Sequence, residues 1–249
     1  MDLVELLILG LLGLVGGVIS GLIGVGGGVF FVPALIFAVG WDIQHAVAAS
    51  LVVIIFASLS GTLRNLRSQN PVDLGAATLL SLTVAPAALI GVAISRVSSE
   101  ALVETVFALV LLAIAYPTAR GGSSDVSEAR IKIPAVVTVV AGVAIGTLSG
   151  LVGVGGGILM VPLMVLGLNL RPKVAIATSL AVAFFTGIVG TVGYVATGFN
   201  DFASLPPLVV GSIVGAWLSV RVRNRTPDKA LRVIFAVFMV VVALYLLLG

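Results

Sequence analysis

Ten apolar stretches, separated by short polar or turn-rich breaks, make up almost the whole chain. They run roughly over 3–23, 29–40, 44–63, 74–95, 101–117, 133–152, 158–168, 174–195, 203–220 and 230–248. Most approach the roughly 20 residues a helix needs to cross the hydrocarbon of a bilayer. The stretches are apolar at every position, whereas strands of a membrane β-barrel alternate over about ten residues. The pattern therefore predicts an all-α polytopic membrane protein with about 8–10 membrane segments. The first charged residues are Asp2 and Glu5, where a secretory signal needs a positive n-region, so the start is expected to be the first membrane helix.

Two stretches, 29–40 and 158–168, would make helices of only about 17 Å at 1.5 Å per residue, too short to span unaided. They occupy matching places in a duplicated chain. SGLIGVGGGVFFVP (20–33) returns as SGLVGVGGGILMVP (149–162), an offset of 129 residues. Over 20–51 against 149–180 the match is ungapped, with 14 of 32 positions identical. Composition bias supplies a few of those, but not an unbroken GVGGG with a proline five residues later. After small gaps Asp73 matches Asp201 and Tyr116 matches Tyr245. The reading is a first five-segment repeat over 1–117, a GGSSD-containing linker over 118–132, and a second repeat over 133–249.

An odd number of crossings per repeat turns the second copy over. With the N-terminus outside, 12 of the 13 basic residues fall in inner breaks, and only Arg96 falls outside. The positive-inside rule thus predicts inverted repeats, both termini outside the cytoplasmic (inner) membrane, and a cytoplasmic linker. Parity is the same whether 3–23 with 29–40, and 133–152 with 158–168, cross fully or re-enter.

Composition narrows the chemistry. Hydrophobic residues are 60% and charged residues 9%, with mean hydropathy +1.29, which excludes a soluble or disordered chain. Without cysteine there are no disulfides or thiolate nucleophiles, and a single histidine makes no metal site, so neither metal nor cofactor is expected. Net charge +3 and pI 9.7 would hint at nucleic acid in a soluble protein. Here the basic residues set orientation; the expected surroundings are the lipid bilayer, and no nucleic-acid partner is expected.

The glycine runs are the candidate site. Dense glycine disfavours helix and permits positive φ, and Pro33 and Pro162 disturb the short segments further. An unwound stretch before a short helix is a broken membrane helix, tolerated only where it is buried in protein or lines a cavity. Such breaks at matching places of two inverted halves point to a transporter's binding site. Helix starts favour anions. The expected substrate contacts are Gly26, Gly27, Gly28 and Ser20 in the first half, and Gly155, Gly156, Gly157 and Ser149 in the second. Ser50, Thr178 and Ser179 join them at the starts of the following helices. The competing reading for such hydroxyls is a bond to their own helix carbonyls. Gly17 with Gly21, and Gly146 with Gly150, are small-xxx-small pairs expected to pack helices. A dinucleotide fingerprint fails for lack of a strand–turn–helix context and an acidic partner. No carboxylate lies in mid-segment, so no proton relay is visible. His45 reads as an interfacial residue, and Arg64 as an orientation signal.

The paired G-x-x-G-x-G-G-G-x-x-x-x-P motifs, Gly21 to Pro33 and Gly150 to Pro162, resemble the TauE/SafE sulfite exporter family, also called the toluene-sulfonate uptake permeases. The AAS (48–50) and ATS (177–179) tracts and GYVATG…D (193–201) fit as well. The resemblance implies a secondary transporter of the inner membrane, moving sulfite, a sulfonate or another small organosulfur or carboxylate anion by alternating access. A passive anion channel is the alternative. An intramembrane enzyme lacks a nucleophile–base set and is not expected.

Overall fold

A computed structural model describes residues 3–24, 26–66, 71–120, 135–168, 170–223 and 228–248. Ten α-helices account for most of them, and no strand occurs among the described residues. They are α1 (Leu3–Ile23), α2 (Gly28–Val39), α3 (Ile43–Leu66), α4 (Leu74–Val97), α5 (Glu100–Arg120), α6 (Ala135–Val152), α7 (Gly157–Pro162), α8 (Pro172–Ala196), α9 (Pro206–Arg223) and α10 (Asp228–Leu248). A π-helical turn, Leu163–Gly167, continues α7. The protein is all-α, as the apolar pattern predicts. Four helices are long and apolar enough to cross a membrane, α1, α3, α4 and α8, with shorter apolar helices beside them. α5 reaches Arg120, three residues into the expected linker, and residues 121–134 lie outside the described ones.

Local signals set the helix ends. Asp73 caps α4, its carboxylate accepting from the Ala76 N–H at 2.9 Å. Pro172 opens α8, where its missing N–H costs nothing. Gly40, at φ +77°, closes α2 in the left-handed conformation. The outer surface is apolar. Leu82, Val136 and Val97 are 71%, 72% and 85% exposed, a belt that suits hydrocarbon and not water.

Packing pairs each half with the other. α1 lies on α9 and α6 on α4, while α3 packs on α8 and α5 on α10. Exchanging α1–α5 with α6–α10 turns the first pair into the second and returns each of the other two to itself. Glycines bring the first two pairs together. A Cβ on Gly17 would fall on the Ser212 carbonyl, and one on Gly146, its repeat equivalent, on the Val84 carbonyl. A Cβ on Gly21 would meet the Ser219 hydroxyl, and one on Gly150 the Ala88 carbonyl. This is the small-xxx-small packing expected of them. In the α3–α8 pair, Leu51 lies beside Gly187 and Gly190, and Gly61 beside Leu180. Residue numbers rise along one helix as they fall along the other, so these two equivalent helices run antiparallel.

Candidate functional site

α1 and α2 form a hairpin whose tip is the first glycine run; α6 and α7 form another around the second. Gly24, Gly26 and Gly27 have φ +78°, +78° and +94°, and Gly153, Gly155 and Gly156 have +69°, +72° and +69°. Side chains resist this region, so the runs are glycine because the backbone turns there. The break expected from sequence is present in both halves.

Each tip reaches the second turn of the other half's helix. Gly24 lies against Ile176 and Ser179 of α8, and Gly153 against Val47 and Ser50 of α3. Two hydrogen bonds fix this crossing. The Ser50 hydroxyl lies 2.9 Å from the Gly153 carbonyl oxygen, and the Ser179 hydroxyl 2.6 Å from that of Gly24. Donors and acceptors are repeat equivalents, so the bond is made twice. Each hydroxyl is also near a carbonyl of its own helix, Val47 at 2.7 Å and Ile176 at 2.9 Å. Thr178 accepts from the Asp73 N–H at 3.0 Å and so ties α8 to the start of α4. Of the expected contacts, these three are engaged with protein.

The tips also touch directly. A Cβ on Gly28 would overlap the Gly153 carbonyl and crowd the Val154 Cα. A Cβ on Gly26 would lie 3.2 Å from Ile54 Cγ2 and 3.3 Å from Ala183 Cβ. Ile54 and Ala183 are repeat equivalents, so Gly26 sits near the axis that exchanges the halves. Gly157 opens α7, and helix geometry continues through the π turn to Gly167.

Ser20 and Ser149 differ from Ser50, Ser179 and Thr178. Both are buried, 0% and 1% exposed, and neither Oγ has a hydrogen-bond partner. They too are repeat equivalents, each in the last turn before a break. Ser20 Cβ is 3.3 Å from where a Cβ on Gly27 would stand, and Ser149 Cβ is 3.7 Å from the same point on Gly156. Buried hydroxyls are ordinarily paired, because an unmade bond costs about 1–3 kcal/mol. Thr62 and Thr191, also repeat equivalents, are unpartnered as well, whereas Ser20 and Ser149 are the pair that lies at the glycine breaks. Ser20 lies beside the start of α2, where the first N–H groups lack intrahelical acceptors, and Ser149 lies beside Gly156 at the second break. No charged side chain is buried among the described residues, so hydroxyls and backbone N–H groups are the polar chemistry here.

The other sequence candidates lie apart. His45 lies tilted against Trp41 and edge-on to Phe199, with ring centroids 4.4 and 5.3 Å away, and its Nε2 is 3.3 Å from Asp201 Oδ2. Arg64 Cζ lies 4.6 Å over the Trp217 ring. Sequence reasoning missed Tyr194, whose hydroxyl joins α8 to α4 and α6. Its signal was a tyrosine where the first half has Asn65.

Comparison with known proteins covers nearly the whole chain. The family profile described as Sulfite exporter TauE/SafE matches residues 9–246. "Probable membrane transporter protein YunE" of Bacillus subtilis is 28% identical, over 96% of both chains. "Probable membrane transporter protein MJ0441" of Methanocaldococcus jannaschii is 26% identical, over 98% of this chain and 97% of its own. A "Probable membrane transporter protein" of Haemophilus influenzae is 25% identical over 96% of each. No solved structure is significantly similar.

Proposed function

The chain belongs to the sulfite exporter TauE/SafE family of membrane transporters, and we propose that it moves a small oxyanion by alternating access. The substrate class is sulfite or an organosulfur anion such as a sulfonate. The observation that carries this reading is the pair of buried, unpartnered hydroxyls, Ser20 and Ser149, at two glycine-broken tips. A tetrahedral or pyramidal oxyanion presents several acceptor oxygens. The two hydroxyls and the N–H groups at the start of α2 would each donate to one, with the helix dipole adding to the attraction. Bonds from neutral donors to an anion are stronger than neutral pairs, yet leave no fixed counter-charge to hold the ion back.

The halves act as inverted repeats on either side of this site. The antiparallel course of α3 and α8, which are equivalent helices, supports the inversion. The basic residues favour both termini outside the cytoplasmic membrane. The direct contact of the two tips, Gly28 against Gly153, supports the transporter reading over an open pore.

A binding screen of purified protein tests the substrate class. Sulfite, thiosulfate, small sulfonates and small carboxylates are compared with neutral and cationic solutes. At least one oxyanion should bind saturably and exchange by counterflow in proteoliposomes. Transport of a neutral or cationic solute with anions ignored would sink the reading, and ohmic single-channel current would turn it to a channel. Orientation has its own measurement. A cysteine at Ser68, on this cysteine-free chain, should resist an impermeant maleimide added to intact cells and react in inside-out vesicles. The reverse pattern would invert the topology.

A further inference from the structure

We propose that the Tyr194 hydroxyl is a latch on one side of the transport site, holding the second hairpin tip, and with it Ser149, against α4. Tyr194 lies in the last turn of α8 and is 6% exposed. Its Oη is 3.2 Å from the Gly150 carbonyl oxygen on α6 and 3.0 Å from Ser95 Oγ on α4. A phenol has one proton to give. A carbonyl only accepts, so Tyr194 donates to Gly150 and receives the proton of Ser95. The chain Ser95 to Tyr194 to Gly150 ends on the residue next to Ser149. Gln44 Nε2, at the start of α3, reaches the Ser95 carbonyl oxygen at 3.4 Å. Three helices thus meet at the Tyr194 hydroxyl, and α3 joins them through the Ser95 carbonyl.

The repeat makes this asymmetric. At the offset of 129 residues, Tyr194 corresponds to Asn65 and Gly150 to Gly21. Asn65 is equally buried, but its Nδ2 donates at 2.9 Å to Gly61 of its own helix. Among the described residues, the first tip has no brace like that of the second. In a protein that exposes its site alternately to two sides, one side is closed by a hydroxyl bridge. Opening that side breaks the bridge, while the other opens without such a bond. Tyr194 is a positioning residue, acting on Ser149 through the α6 backbone.

The inference takes the site's location from the reading above, and its test does not need the substrate. A single cysteine is introduced as Ser149→Cys, and its reaction with an anionic, membrane-impermeant methanethiosulfonate is timed from each side of the membrane. Tyr194→Phe keeps the ring and removes the bridge. It should speed the reaction about tenfold or more from one side only, the worth of a buried hydrogen bond or two. Ser95→Ala, which cuts the bridge at its α4 end, should act in the same direction and serves if the phenylalanine variant does not fold. Asn65→Ala should leave the rate unchanged. An unchanged rate in Tyr194→Phe, or an equal gain from Asn65→Ala, overturns the latch. Failure of all oxyanions to bind would sink the substrate reading and leave the labelling result standing.

Discussion

Gly28→Ala should yield no folded protein. The added methyl would stand inside the Gly153 carbonyl and against the Val154 Cα, at the point where the two hairpin tips cross. Both obstacles are backbone, and that backbone is held by the Ser50 hydroxyl and turned through left-handed glycines. It cannot yield as a side-chain end would. Overpacking usually costs about 1–3 kcal/mol and more when backbone must move, so a cost above about 3 kcal/mol is expected. Gly40→Ala is the control. It is also left-handed, φ +77°, but nothing lies within 4 Å of its would-be Cβ, so only the backbone strain of about 1–2 kcal/mol applies. Monodispersity and melting in detergent check the pair. A normally melting Gly28→Ala would mean that the tips do not cross as described.

Replacing Ser20 and Ser149 together by alanine should stabilise the protein and abolish its transport. Each hydroxyl is buried without a partner, a debt of about 1–3 kcal/mol that alanine removes. Melting temperature should therefore rise with each substitution and rise further in the double variant. Substrate binding should move the other way. A hydrogen bond to a charged group contributes about 1.5–3 kcal/mol, or roughly 10–100-fold in affinity per hydroxyl. The opposition of the two readouts is what separates a ligand-facing hydroxyl from a merely structural one, whose loss would lower stability. Wild-type flux from the double variant, whatever its melting point, would remove both serines from the site. The engaged pair gives the contrast. Ser50→Ala or Ser179→Ala takes away a bond to the opposite tip and should lower the melting point.

Most of the fold was legible because hydrophobicity is a linear signal. Leu3–Ile23 ends where the apolar stretch 3–23 ends, and α4 runs two residues beyond 74–95. The broken helices were legible too, since a GVGGG run followed by proline permits little else. What each site residue does was less so. Ser50 and Ser179 read as hydroxyls near a site, yet their partners are carbonyls more than a hundred positions away. Equal spacing of Ser50 from Ser179 and of Gly24 from Gly153 was the one available clue. Gly28 read as backbone for a substrate, and in the structure it makes room for Gly153. A distance between halves has no trace in a single half's pattern. The π turn at Leu163–Gly167, where α2 stays α-helical, likewise follows from no composition difference evident between the copies.

The twofold bond between the hydroxyl of one half and the tip of the other has a genealogical consequence. A half-chain alone would leave a Gly24-type carbonyl without its hydroxyl and a Ser50-type hydroxyl with only its own helix carbonyl. A second copy of the same half, turned over, supplies each with the other. That is the defining property of an isologous dimer, in which one patch meets itself. If the halves are the inverted repeats proposed above, the chain has the construction of such a dimer with its subunits joined end to end, in which the two copies are free to differ. Tyr194 opposite Asn65, and His45 opposite Val174, are the kind of divergence that a self-pairing ancestor could not have carried on one side alone.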